Sequence, residues 1–185
     1  MKISPKIKTL SALFVAIIFS ATATAQTATA ENKATNYDQG FRLGFGVSGG
    51  YVFDDPYELA LGGDIRLQYD LSKRNSLTLT TGFTNLFIDG DNNDLGFIPV
   101  KAGFKAFVWE DRFYAMAEAG AAFAVTNNYD ETSLILAPSI GYANDYIDIS
   151  LRYEFYNDFP IIKNSGVIGE GTGQLGLRVA YGFKL

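Results

Sequence analysis

From residue 41 onward, apolar residues return at every second position in run after run. Near the C-terminus, Leu175, Leu177, Val179, Tyr181, Phe183 and Leu185 share one parity, while Gly176, Arg178, Ala180, Gly182 and Lys184 share the other. A period of two marks a strand with one face in an apolar phase. The same alternation sets Phe41, Leu43, Phe45 and Val47 against Arg42, Gly44, Gly46 and Ser48. It sets Leu59, Leu61, Ile65, Leu67, Tyr69 and Leu71 against Asp64, Arg66, Gln68 and Asp70. Leu77, Leu79, Thr81 and Phe83 then oppose Thr78, Thr80 and Gly82, and Val100, Ala102, Phe104 and Ala106 oppose Lys101, Gly103 and Lys105. Phe113, Ala115, Ala117, Ala119, Ala121 and Phe123 oppose Tyr114, Met116, Glu118 and Gly120. Leu134, Leu136, Pro138, Ile140 and Tyr142 oppose Ala137, Ser139 and Gly141. Finally Ile147, Ile149, Leu151, Tyr153 and Phe155 oppose Asp148, Ser150, Arg152 and Glu154.

The pattern predicts eight strands, each near the roughly 9–11 residues that a tilted strand needs to cross a bilayer. In this register every charge within a strand falls on the minority face. A soluble sandwich also alternates, with its apolar face buried and its charges outward. Three features favour a membrane barrel. The connections alternate between tight turns (72–75, 109–112, 144–145) and longer polar loops near 53–58, 88–96, 126–132 and 157–172, as periplasmic turns and external loops do. Aromatics gather at strand ends: Tyr51, Phe53, Tyr57, Phe87, Phe97, Tyr129 and Phe159 at the outer rim, and Tyr69, Trp109, Phe113, Tyr142, Tyr146, Tyr181 and Phe183 at the inner rim. The minority face is rich in glycine and small residues, which suits a narrow interior better than a solvated surface.

The N-terminus changes the picture. Lys2, Lys6 and Lys8 precede an apolar run from Leu10 to Phe19 and then Ala23-Thr24-Ala25, the three parts of a secretory signal peptide. The run is short of the roughly 20 residues of a retained anchor. Residues 1–25 are thus expected to be the signal peptide, 26–38 a small, polar and flexible leader, and 39–185 the barrel. With those lysines set aside, 12 of the 15 basic residues face 20 acidic ones, a balance of −8 that excludes a basic nucleic-acid footprint. The sequence holds no cysteine, so disulfides, thiolate metal sites and a cysteine-linked lipid are excluded.

With these features the segment from about residue 38 to 185 resembles the small eight-stranded outer-membrane β-barrel proteins, the group of OmpX and the OmpA barrel domain. The ending LRVAYGFKL, with Leu177, Val179, Tyr181, Phe183 and Leu185 on one face, is similar to the group's assembly signal. Members often end on phenylalanine, whereas here Leu185 is last. The resemblance implies the barrel-assembly machinery as a partner during biogenesis, and outer-membrane lipids thereafter. No peptidoglycan-binding domain follows the barrel, so a bridge to the cell wall is not expected.

Candidate chemistry is sparse. The sequence has no histidine, the usual general base near neutral pH and a residue that outer-membrane lipid A deacylases, palmitoyltransferases and phospholipases use. No enzyme, cofactor or specific metal site is expected. Arg42, Asp64, Arg66, Lys101, Lys105, Glu118, Asp148, Arg152, Glu154 and Arg178 point inward. They form either an ion pathway or a salt-bridged plug, and the plug is favoured because eight strands leave an interior that side chains fill. Glu118 falls opposite Gly103, diagonal to Lys101 and Lys105. The external loops are acidic, with Asp54, Asp55, Glu58, Asp89, Asp91, Asp94, Asp130, Glu131, Asp158 and Glu170 against Lys163. Asp89, Asp91 and Asn93 have the opening spacing of a calcium loop, but Asp94 stands at the turn glycine and Val100 at the closing glutamate. Weak cation binding by Asp89, Asp91, Asn93 and Asp94, bridging to lipopolysaccharide phosphates, is what that spacing supports. Gly49-Gly50, Gly62-Gly63 and the run 166–173 lack the helix and lysine of a phosphate loop; the last reads as a mobile loop.

The expected protein is an all-β, closed, up-and-down, antiparallel eight-stranded transmembrane barrel, a monomer with a structural and surface-exposed role. A small pore or transporter, an adhesive or lipid-binding surface protein, and more distantly a soluble lipocalin-like barrel are the alternatives.

Overall fold

A computed structural model describes residues 40–88, 94–109, 111–126, 132–162 and 168–185, with side chains for all of these except 162, 168 and 169. The expected signal peptide and leader lie outside them. Eight strands run in chain order: β1 Phe41–Val52, β2 Tyr57–Asp70, β3 Asn75–Ile88, β4 Leu95–Trp109, β5 Phe113–Ala124, β6 Thr132–Ala143, β7 Ile147–Ile162 and β8 Ile168–Lys184. Each pairs antiparallel with its neighbours, and β8 returns to β1, closing the barrel. Closure leaves no backbone edge unpaired, which a lipid environment demands.

The three inner turns are set by local chemistry. Ser72 Oγ accepts from the Arg74 and Asn75 amides at 3.3 and 3.1 Å. Asn144 Oδ1 accepts from the Tyr146 and Ile147 amides at 2.9 and 2.8 Å. These side chains stand in for the backbone partners a tight turn lacks. At the third turn Asp111 takes φ +55°, a left-handed conformation that Asp tolerates better than most residues.

The distribution of side chains is inverted relative to a soluble protein. Phe45, Leu79, Phe104, Leu136, Leu151 and Leu177 are exposed around the wall, whereas Arg66, Lys101, Lys105, Glu118, Glu154 and Arg178 are buried inside it. Trp109, Phe113, Tyr146 and Tyr181 are exposed at the inner rim, with the rings of Tyr146 and Tyr181 stacked at 6.1 Å. The terminal residues Leu177, Val179, Tyr181, Phe183 and Leu185 are all exposed on the outer face of β8 or just past its end.

Two expectations are corrected. The loop expected over 157–172 is largely strand, because β7 and β8 continue their ladder through Pro160↔Glu170 and Ile161↔Gly169. Residues 168–173 therefore belong to β8 and not to a mobile loop. The outer aromatic girdle is also thinner than expected. Tyr51 and Phe53 are exposed, but Tyr57, Phe97 and Phe159 are buried inside the barrel at 5, 1 and 0 % exposure. Register shifts between Tyr57 and Leu59 and between Tyr156 and Pro160 change the strand parity, so that Tyr57 and Phe159 turn inward. An irregularity of this kind re-aims every side chain beyond it. Phe97 needs no such device, since it stands four residues from Lys101 on the same face. Tyr129 lies outside the described residues.

Candidate functional site in the barrel interior

The lumen is filled in two zones. Its outer zone is apolar: Val52, Tyr57, Leu86, Phe97, Ile135, Tyr156 and Phe159 are buried together with their neighbours. Phe97, Tyr156 and Phe159 form a three-ring cluster, with centroids 5.0–5.2 Å apart. Ring pairs of this spacing are in the range of favourable edge-to-face and offset aromatic contacts.

The inner zone holds the charges. Directly under the rings, Glu154 is the acceptor for Lys101 Nζ across the lumen, for Arg152 Nε at 3.2 Å, for Tyr156 OH at 2.9 Å and for Gln174 Nε2. Beside it, Arg66 and Glu118 pair at 3.1 Å, and Thr80 links them a second time. Its hydroxyl accepts from Arg66 Nε at 2.9 Å and donates to Glu118 Oε1 at 2.6 Å.

Further inward, Arg178 makes a bidentate contact with Asp64, Nε to Oδ2 at 2.7 Å and Nη2 to Oδ1 at 2.5 Å. Asp148 accepts from Lys105 Nζ at 2.7 Å and from Tyr114 OH at 2.6 Å, and Arg178 Nη1 lies 3.7 Å from it. Lys105 Nζ also sits 3.9 Å from the Tyr114 ring centroid, a cation–π geometry. At the inner mouth Asp70 accepts from Arg42, Gln68 and Ser76 at 3.0, 2.6 and 2.7 Å.

All ten inward charges named from the sequence therefore lie in this network. Their partners differ from the diagonal reading of β4 and β5. Gly103 does face Glu118, yet Glu118 bonds Arg66, while Lys101 and Lys105 cross the lumen to β7. Glycine makes two of these reaches possible. A Cβ on Gly46 would stand 2.7 Å from Arg178 Nη2, and one on Gly103 would stand 2.6 Å from Glu118 Cγ. Each side chain passes over a bare strand to reach the next one. The sequence reading passed over Asp70, Thr80, Tyr114, Tyr156 and Gln174 as members. Parity places each of them inward, but nothing local marks them as partners.

Of the acidic loop residues, Asp94 is described and already engaged. Its Oδ2 accepts from Asn85 Nδ2 at 2.9 Å and its Oδ1 from the Ile88 amide at 3.2 Å, closing the β3–β4 hairpin. Asp89, Asp91 and Asn93 lie outside the described residues. Among the described residues no group of three or more carboxylates could hold a metal ion.

No protein-family model matches the sequence, and no curated protein matches it. Solved structures do. The N-terminal β-barrel domain of Pseudomonas aeruginosa OprF superimposes with a TM-score of 0.54 at 14% identity, covering 79% of this chain and 100% of its own. Ail, the attachment invasion locus protein of Yersinia pestis, solved with the heparin analogue sucrose octasulfate, superimposes with a TM-score of 0.51 at 16% identity. That match covers 78% of this chain and 99% of Ail. These likenesses show the fold: the chain is a small closed β-barrel of the same architecture.

Proposed function

We propose that this protein is a sealed barrel of the bacterial outer membrane, with a structural role in the wall of the membrane and a surface-exposed outer end. The observation that carries the reading is the inverted protein whose interior is full. Apolar side chains face outward on every strand, while an aromatic cap and a paired charge network occupy the lumen. Exposed apolar surface on this scale is stable only against lipid. In this reading a lumen occupied by side chains leaves no continuous aqueous path.

The partners in this reading are outer-membrane lipids around the apolar belt and, during biogenesis, the insertion machinery that reads the β8 ending. Asp54, Asp55, Glu58, Asp94, Asp158 and Glu170 make the described part of the outer end acidic. A polyanion of the sulfated-sugar kind held by Ail is therefore not expected here. Divalent cations would link such carboxylates to lipopolysaccharide phosphates.

The test is refolding of residues 26–185 into lipid vesicles, checked by a heat-dependent shift in gel mobility, followed by planar-bilayer recording. A folded barrel that stays electrically silent fits the sealed reading. Reproducible ion-selective steps from the same folded material would replace it with a pore.

A further inference from the structure

We propose that the barrel binds one water molecule between Arg152 and Gln174, directly beneath the aromatic cap. The inference needs only the fold and does not depend on the role proposed above. Arg152 and Gln174 are buried at 6 and 5 % exposure, and each keeps one polar atom without a partner in the protein, Nη1 and Oε1 respectively. Both residues line the same small cavity, together with Ser48, Gly50, Thr84 and Gly176, and its free space fits about one water.

The chemistry of the two atoms selects the ligand. Arg152 Nη1 can only donate. Gln174 Nε2 is committed to Glu154 and to Tyr156 OH, the latter at 2.7 Å, so its Oε1 can only accept. A halide satisfies the guanidinium but meets the amide oxygen with repulsion. A metal cation satisfies the oxygen but meets the guanidinium with repulsion. Water accepts from the first and donates to the second, and the hydroxyls of Ser48 and Thr84 on the same wall accommodate its remaining valences. A buried polar atom left unpaired forfeits its hydration without return, so one molecule relieves two such penalties.

Space for it comes from the β1–β8 seam. A Cβ on Gly50 would stand 2.9 Å from Gly176 Cα and from the Leu175 carbonyl, so this wall carries no side chain into the cavity. Gly50 and Gly176 face each other in register.

The experiment is a crystal structure of the refolded barrel at a resolution that shows ordered waters, with a bromide-soaked crystal beside it. The heat-dependent mobility shift is recorded first, so that failure to fold is read separately from an empty site. We expect one density peak within hydrogen-bond distance of Arg152 Nη1 and Gln174 Oε1, with no anomalous bromide signal there. In Ser48→Val, which fills the cavity, the peak is lost while the mobility shift persists. An empty cavity in the folded parent, an anomalous peak at Arg152, or a peak that persists in Ser48→Val would each overturn the proposal.

Discussion

Tyr156 belongs to the aromatic cap by its ring and to the charge network by its hydroxyl, which donates to Glu154 at 2.9 Å while the ring stacks on Phe159 at 5.0 Å. One residue thus fixes the height of the cap above the charges. Tyr156→Phe separates the two roles. It is expected to lower the unfolding free energy by about 1–3 kcal/mol, because buried Glu154 loses a donor, while the seal stays intact. Urea unfolding in vesicles measures the first effect and bilayer recording the second.

In the sealed reading proposed above, the cap is the barrier to ions. Phe97→Ala combined with Phe159→Ala removes two of its three rings and leaves Tyr156 with only the aliphatic and Tyr57 side chains of the outer zone around it. Such truncations cost about 3–5 kcal/mol each in well-packed cores, less any relaxation. Conductance steps absent from the parent are expected in the folded double variant. A silent double variant would show that the charge layer seals the lumen without help.

Gly46 tests the reach of Arg178. An alanine there places a Cβ 2.7–2.8 Å from the guanidinium, which is buried and held by Asp64. Gly46→Ala is expected to cost about 1–3 kcal/mol through overpacking. Most of that cost should vanish when Arg178 is already methionine, so a double-mutant cycle by urea unfolding separates this contact from a backbone effect.

Leu151 faces outward at the middle of β7, opposite Leu177. An arginine near the midplane of a membrane barrel costs about 2–4 kcal/mol, so Leu151→Arg should reduce stability by that amount or impair insertion. Leu151→Phe should be close to neutral. Equal stability of the arginine variant and the parent would place this face out of lipid.

At the inner turns Asp111 binds Lys73 at 3.0 Å and Arg74 at 3.2 Å, tying the β4–β5 turn to the β2–β3 turn. The hydrogen bond from Lys73 leads the effects that hold its carboxyl below the usual aspartate range, with burial opposing it slightly. A lowered folded value means that the stabilisation is present above the unfolded pKa, near 3.9, and is lost as pH falls through the folded value. The pair is exposed, so the effect stays under about 1 kcal/mol and shrinks with salt. Asp111→Asn keeps the left-handed turn and should flatten this acid-side slope in urea titrations between pH 2 and 5, as the window of about 3.9 and below requires.

Faces were readable in the sequence where period-two alternation holds along a strand; Phe97 and Ile135 share the parity of Lys101 and Ser139, and the outer-girdle expectation for Phe97 went against that parity. Tyr57 and Phe159 were not readable, because a shift in pairing register leaves no local mark in composition. The extension of β7 and β8 was hidden for a related reason: Asn157-Asp158 and Glu170-Gly171 have the composition of a loop, yet the ladder resumes beyond the irregularity at Pro160↔Glu170 and Ile161↔Gly169. Ion-pair partners depend on the stagger of the closed barrel, which joins β4 to β7 and β2 to β5. No spacing within the chain encodes those distances.

The contact between Arg178 and Asp64 lies over Gly46, so it spans β1 from one side to the other. The seam where the last strand meets the first is thereby clasped from within as well as laced along its backbone, and the place where the cylinder could most readily come undone carries a second fastening.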